Sequence, residues 1–310
     1  MEPAVKTFRS SRSDTRKPLR WVFSLALRCC GCAVELRVND IPLFQESQGA
    51  SVNFTLPINE WLFHGKNEVL LKVTPLPSMS AEAEARLLVR RTREQWQNAR
   101  TVGALQWDAR RPAQEGAPPS FEPAPEPWEP NDAHGGPDQE MAFQWHDHPP
   151  LRLPGTEAVL HRATLHLPPS WLDCPWAKTF QATDHVDLRD SLIDAVTDFR
   201  RVLDQKRMGL FWGVVDTKCR DLKFAYDLSD EGVAEAILIP LLLKSGWHAA
   251  PLLPPNRLRL EKAGGGRLHR LVDTDTGESA LRLEHAAQRL EAVIDAWWIR
   301  STGNEWQIVR

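Results

Sequence analysis

Tyrosine is almost missing from this chain: there is one, Tyr226, in 310 residues, beside thirteen tryptophans. Any phenolic chemistry therefore rests on a single side chain. Long apolar runs are also missing. Trp21-Val-Phe-Ser-Leu-Ala-Leu27 is cut short at Arg28, and no stretch approaches the ~20 apolar residues of a membrane span. That run has no small-residue cleavage pattern, so residues 1–18 read as a disordered basic tail and 21–27 as a core strand rather than an export signal. Lysine and arginine vanish from Pro112 to Leu151, where eight acidic residues remain. The net charge of −3 leaves no overall footprint for nucleic acid. Five cysteines form an odd set, with Cys29, Cys30 and Cys32 crowded together and Cys174 and Cys219 apart. That is not a disulfide framework and points to a reduced, cytoplasmic protein. Treated as one strand, Cys30 and Cys32 share a face that Cys29 does not, and no second pair completes a metal site.

The first half is written in the two-residue period of strands. Val34, Leu36 and Val38 alternate with Glu35 and Arg37. Val52, Phe54, Leu56 and Ile58 alternate with polar residues or proline, and Val69, Leu71 and Val73 are separated by Leu70 and Lys72. One apolar face per run predicts antiparallel sheets covering a core. Leu87–Val89, Val102–Trp107 and Val159–Leu167 supply further strands, and Asn39-Asp40 suits a tight turn. Residues 19–170 are read as one all-β sandwich. It is interrupted at 108–150 by a Pro-rich acidic loop that lacks the apolar content to order itself. Within it, Trp128 between Glu126 and Glu129 is the candidate partner-docking anchor. In Gln144-Trp-His-Asp-His148 the two histidines would fall on one side of a strand, but two histidines without further ligands are weak evidence for zinc, and the segment reads as solvated loop.

Leu36-Arg-Val-Asn-Asp40, followed by Gly65-Lys-Asn67 ahead of a strand, resembles the galactose-binding-like jelly roll that accompanies β-galactosidase-type glycoside hydrolases. The resemblance covers about 60 residues. It implies a jelly-roll fold and, through it, carbohydrate binding as one reading. Asp40 stands where that family often carries glycine.

Residues 180–310 change period. Asp184 suits a helix N-cap, and Leu188, Leu192, Val196, Phe199 and Leu203 recur at helical spacing. A second helix is expected over Gly209–Phe224. A third starts at Ser229 and runs to Leu243, kinked or ended by Pro240. Strands follow at Arg257–Glu261, Arg267–Val272, Ala280–Glu284, Leu290–Ile299 and Trp306–Val309, with Gly264-Gly-Gly266, Thr276-Gly277 and Thr302-Gly-Asn304 as turns. Helices followed by an antiparallel meander make an α+β unit. Its order and its closing Ala296-Trp-Trp-Ile-Arg300 hairpin resemble the ketosteroid-isomerase-like cone fold, which implies an enclosed pocket. Tyr226, His185 and Asp216 are the pocket candidates. Asp184 and Asp227 are better explained as cap and turn.

No Ser-His-Asp signature, catalytic carboxylate pair or phosphate loop is present, and Gly264-Gly-Gly266 joins two strands instead of opening a helix. Arg90, Arg91, Arg93, Arg100, Arg110 and Arg111 form a positive stretch able to pair with the acidic segment. The function expected is non-catalytic: an adaptor or immunity-type protein linked to a bacterial secretion system or toxin, holding another protein, with no cofactor, nucleic acid or membrane span. The alternatives are an isomerase or hydrolase acting in the cone pocket and a carbohydrate-binding module.

Overall fold

The computed structural model describes residues 21–76, 81–91, 94–110, 143–168, 171, 174, 187–237, 239–300 and 305–309. Nine strands fill its first half: β1 (Trp21–Cys30), β2 (Cys32–Val38), β3 (Ile41–Glu46), β4 (Val52–Pro57), β5 (Gly65–Pro75), β6 (Glu82–Arg91), β7 (Arg100–Asp108), β8 (Gln144–Arg152) and β9 (Val159–Leu167). They form two antiparallel sheets, ordered β4-β1-β6-β7 and β3-β2-β5-β9-β8. Phe23, Leu25 and Leu27 from the first sheet meet Val34, Leu36, Val69, Leu71 and Leu165 from the second in one core, the arrangement of a β-sandwich. The alternation read from the sequence is the cause, since the apolar member of each pair faces inward. Asn39 and Asp40 both adopt positive φ (50° and 67°), and so close the tight β2–β3 hairpin.

Two expectations in this half fail. Cys29 and Cys32 are both buried, and Cys30 is the exposed one. Gly31, at φ 67°, passes the chain from the first sheet to the second, donating to the Gly49 carbonyl at 3.1 Å. Alternation restarts there, which brings Cys29 and Cys32 into the same core. Burial raises both thiols, that of Cys32 to about 11. Gln144–His148 is the start of β8, not loop. Pro149 and Pro150 fall at the register shift between His148 and Leu151, on an edge strand, where a missing N–H breaks no ladder. Residues 111–142, with Trp128, Glu126, Glu129 and Arg111, lie outside the described residues, as do Arg93 and residues 1–18.

Among the described residues the α-helices fall in the second half: α1 (Leu188–Asp204), α2 (Met208–Val214), α3 (Asp216–Tyr226), α4 (Asp230–Ala236) and α5 (Ile239–Lys244). All five residues of the helical pattern in α1 are buried. Arg189 holds the start of α1 through the Pro255 and Leu258 carbonyls, and Arg200 donates to the Ala250 carbonyl at 2.6 Å. The single helix expected over Gly209–Phe224 is two. They divide at Val215, so that Phe211 enters the helical core while Ala225 reaches the sandwich. Ser229 caps α4 by accepting from Gly232 N at 3.1 Å. The chain breaks again before α5, where Pro240 falls in the first turn and its missing N–H costs nothing.

Seven strands follow among the described residues: β10 (His248–Ala249), β11 (Leu258–Ala263), β12 (Leu268–Asp273), β13 (Arg282–His285), β14 (Leu290–Val293), β15 (Trp298–Arg300) and β16 (Trp306–Ile308). They make a third sheet, β10-β13-β14, and a fourth, β11-β12-β15-β16. The strand expected over Leu290–Ile299 is therefore two, because residues 294–297 carry the chain from one sheet to the other. Gly264, Gly265 and Gly266 turn β11 into β12 with positive φ throughout (60°, 66° and 81°).

The fourth sheet is covered on both faces. Ala263, Leu268, Trp297 and Ile299 join the sandwich core, while Leu271, Trp298 and Ile308 join the core beneath the helices. Every residue of β12 is buried, and adjacent Trp297 and Trp298 are 0% and 2% exposed on opposite faces. The molecule is layered as sandwich, sheet and helices, with the middle sheet shared.

Candidate functional site

The space between the fourth sheet and the helices, where a cone fold would hold a ligand, is occupied by aromatic rings. Phe199 of α1 stacks on Phe211 of α2 at 5.9 Å and meets Trp298 edge-on at 5.6 Å. Phe211 in turn meets Trp212 edge-on at 5.1 Å. His269 of β12 lies on that face, with Lys262 of β11 opposite it across the ladder. His269 pairs across the strands with Trp298, sits edge-on to Trp306 at 5.6 Å and is 4% exposed. The Trp306 indole donates to Ser191 Oγ of α1 at 3.3 Å, fixing that end of the layer. Burial, aided by the Lys262 charge, lowers the His269 imidazole to about 4, so it is neutral at pH 7. The Arg267 and Trp298 carbonyls favour its charged form, yet neither ring nitrogen has a partner in hydrogen-bonding geometry among the described residues. A general base needs an orienting partner and a route to substrate. Around His269 stand the Trp298 and Trp306 rings, with Lys262 opposite it across the ladder. The reading of the sequence passed over His269. Its inward position in the apolar run Leu268-His-Arg-Leu-Val272 was the available signal.

The pocket candidates named from sequence are not gathered here. Asp216 opens α3, is exposed, and pairs with Arg220 one turn on at 3.0 Å. Tyr226 ends the same helix, roughly 15 Å away along its axis, and packs against the sandwich core instead of the aromatic layer. Its hydroxyl is buried with no hydrogen-bond partner among the described residues. Asp227 is the left-handed residue that stops α3, as its turn reading implies. His185 and Asp184 lie outside the described residues.

Polar contacts concentrate where the sandwich meets the fourth sheet and α3. Asn59, 4% exposed, accepts from Phe23 N at 2.7 Å and donates to the Trp21 carbonyl at 2.7 Å and the Ala225 carbonyl at 3.1 Å. Arg270 lies over the Trp297 ring at 4.7 Å and pairs with Glu261 at 2.8 Å and Asp295 at 2.5 Å; Glu261 reaches Arg37 of β2 at 4.0 Å. The two asparagines of the jelly-roll resemblance are also structural. Asn39 donates to the Trp61 carbonyl at 2.7 Å and accepts from Glu68 N at 2.9 Å. Asn67, fully buried, accepts from Phe63 N and donates to the Phe63 carbonyl. Together they pin the β4–β5 connection.

The outward face of the second sheet carries the remaining cluster. Cross-strand register sets Gln144, His146 and His148 of β8 beside His166, Thr164 and Arg162 of β9. His148 Nε2 is 2.8 Å from Thr164 Oγ1, and the His146 and His166 rings lie edge to face at 5.9 Å. Asp147 points the other way. It accepts from Trp145 Nε1 at 2.6 Å, and half-burial raises its carboxyl. Among the described residues no three His, Cys, Asp or Glu side chains converge as a metal cage, and no helix is long and apolar enough to cross a membrane. Among the described residues the large exposed hydrophobics are Leu151, Leu210, Leu290 and Val293. No family model, curated protein or solved structure matches the chain.

Proposed function

We propose that this is a non-catalytic protein whose work is to hold another protein, an adaptor or immunity-type component linked to a bacterial secretion system or toxin and working in the cytoplasm. The observation that carries the reading is the ring cluster of Phe199, Phe211 and Trp298, which takes the space an isomerase or hydrolase of the cone type would give to substrate. The jelly-roll and cone-like resemblances belong to the same proposal. They are supported by two antiparallel sheets over one core, and by helices followed by a meander.

The contact surface proposed is the terminal strand β14, which offers Leu290 and Val293 at 50% and 42% exposure along an open edge. Such edges recruit an added strand. The acidic segment around Glu126, Trp128 and Glu129 is the second contact in this reading. Affinity purification from the native host, followed by mass spectrometry, is expected to return one reproducible partner. Capture should weaken for the Leu290→Asp/Val293→Asp double variant and for deletion of 112–140. Undiminished capture by both would end the contact assignment, and turnover of a small apolar substrate that His269→Ala abolishes would end the non-catalytic reading.

A further inference from the structure

We infer that His146 and His166 form a surface site for a divalent transition ion, Zn(II) or Cu(II), on the outward face of the second sheet. The two residues stand diagonally across the β8–β9 ladder, since His146 is opposite Thr164 and His166 is opposite Gln144. Both are exposed, and their ring centroids are 5.9 Å apart. Imidazole nitrogen binds zinc at about 2 Å, which places the ring centre about 3.2 Å from the ion and two rings on a tetrahedral ion about 5 Å apart. The observed spacing is within an ångström of that value, and a small rotation of either side chain closes the difference. The strands bearing them are hydrogen-bonded neighbours, with His166 in the first pair of the ladder and His146 two pairs further in, so the backbone register already sets the two side chains side by side.

The chemistry of the donors selects the ion. Neutral imidazole suits zinc and copper and offers nothing to calcium or magnesium, which take oxygen ligands. Gln144 Oε1, 3.4 Å from His146 Nε2, lies at the rim of the site, and water completes the coordination. His148 is on the same face but is turned to Thr164, and it sits one ladder step beyond His146, away from His166. The pair is thus His146 with His166, one residue from each strand, and not the His146-x-His148 spacing that the sequence displays. Such a site leaves positions on the ion open to solvent or to a ligand from another molecule.

The test is titration of the full chain with Zn(II) and, separately, Cu(II). Calorimetry reads affinity and stoichiometry, and electron paramagnetic resonance of the Cu(II) form counts coordinating nitrogens. Because Cys30 is an exposed thiol, all proteins carry Cys30→Ser. The expected result is one equivalent bound through two imidazole nitrogens. His146→Ala and His166→Ala should each weaken it by at least about tenfold and leave one nitrogen in the spectrum, while His148→Ala leaves affinity and spectrum unchanged. Circular dichroism checks that the exposed substitutions keep the fold. No binding by the parent protein at micromolar ion would overturn the inference. So would equal binding by either His146→Ala or His166→Ala, or a loss on His148→Ala as large as theirs.

Discussion

Asn59 shows how much structure one side chain can hold. Its amide serves β1 twice and reaches the last turn of α3, 166 residues away in sequence. Removing it takes this partner from the buried Phe23 N–H and the Ala225 carbonyl, each worth about 1–3 kcal/mol when stranded. Asn59→Ala is expected to lower stability by about 2–4 kcal/mol, read as a shift in the urea midpoint at unchanged slope. Two buried histidines set the acid response. Burial lowers His161 and His269 alike to about 4, from an ordinary 6.5. The unfolded chain therefore takes up protons between pH 6.5 and 4 that the folded chain refuses. The histidines' contribution is complete above that window, is lost as pH drops through it and is constant below it, up to about 3 kcal/mol for each. Urea midpoints from pH 7 to 4 should show the fall, and His269→Phe should make it shallower. An identical pH dependence in variant and parent would refute this account.

At the scale of the element, close approach decides one substitution. A methyl group on Gly103 of β7 would come within 2.2 Å of the Trp145 indole of β8, so that ring occupies the room the glycine leaves. Gly103→Ala is expected to displace that ring, costing about 1–3 kcal/mol and shifting tryptophan emission to longer wavelength. The strand periods of β2, β5 and β9 and the helical stripe of α1 were legible in the sequence, because each has one apolar face and burial follows that face. The breaks were harder to see. Gly31, Val215 and residues 294–297 are points where the chain changes the layer it packs on. Such a change depends on what lies opposite, which local propensity does not encode. The same limit concealed the histidine pair, since His146 and His166 are twenty positions apart and meet only once β8 pairs with β9. It also concealed His269, whose surroundings are supplied by α1 and β16.

Across the whole molecule the middle sheet governs behaviour. The sequence describes two successive units, each with its own period, but Trp298 and Ile299 place one strand, β15, in two cores at once. Heating is expected to give a single calorimetric transition, with the enthalpy from its shape equal to the enthalpy measured. Trp297→Ala, which empties a fully buried site and leaves Arg270 without the ring beneath it, should lower that transition by about 3–5 kcal/mol without splitting it. Two resolved transitions would mean that the halves melt independently.

A shared layer also changes what happens when the polypeptide is cut. Severed between 168 and 187, the front fragment would present bare the patch that Trp297 and Ile299 now cover, and the rear fragment would expose those same side chains. Each piece is then sticky alone and complementary to the other, so mixing the two should restore a soluble noncovalent pair, making this chain a natural starting point for a split reporter.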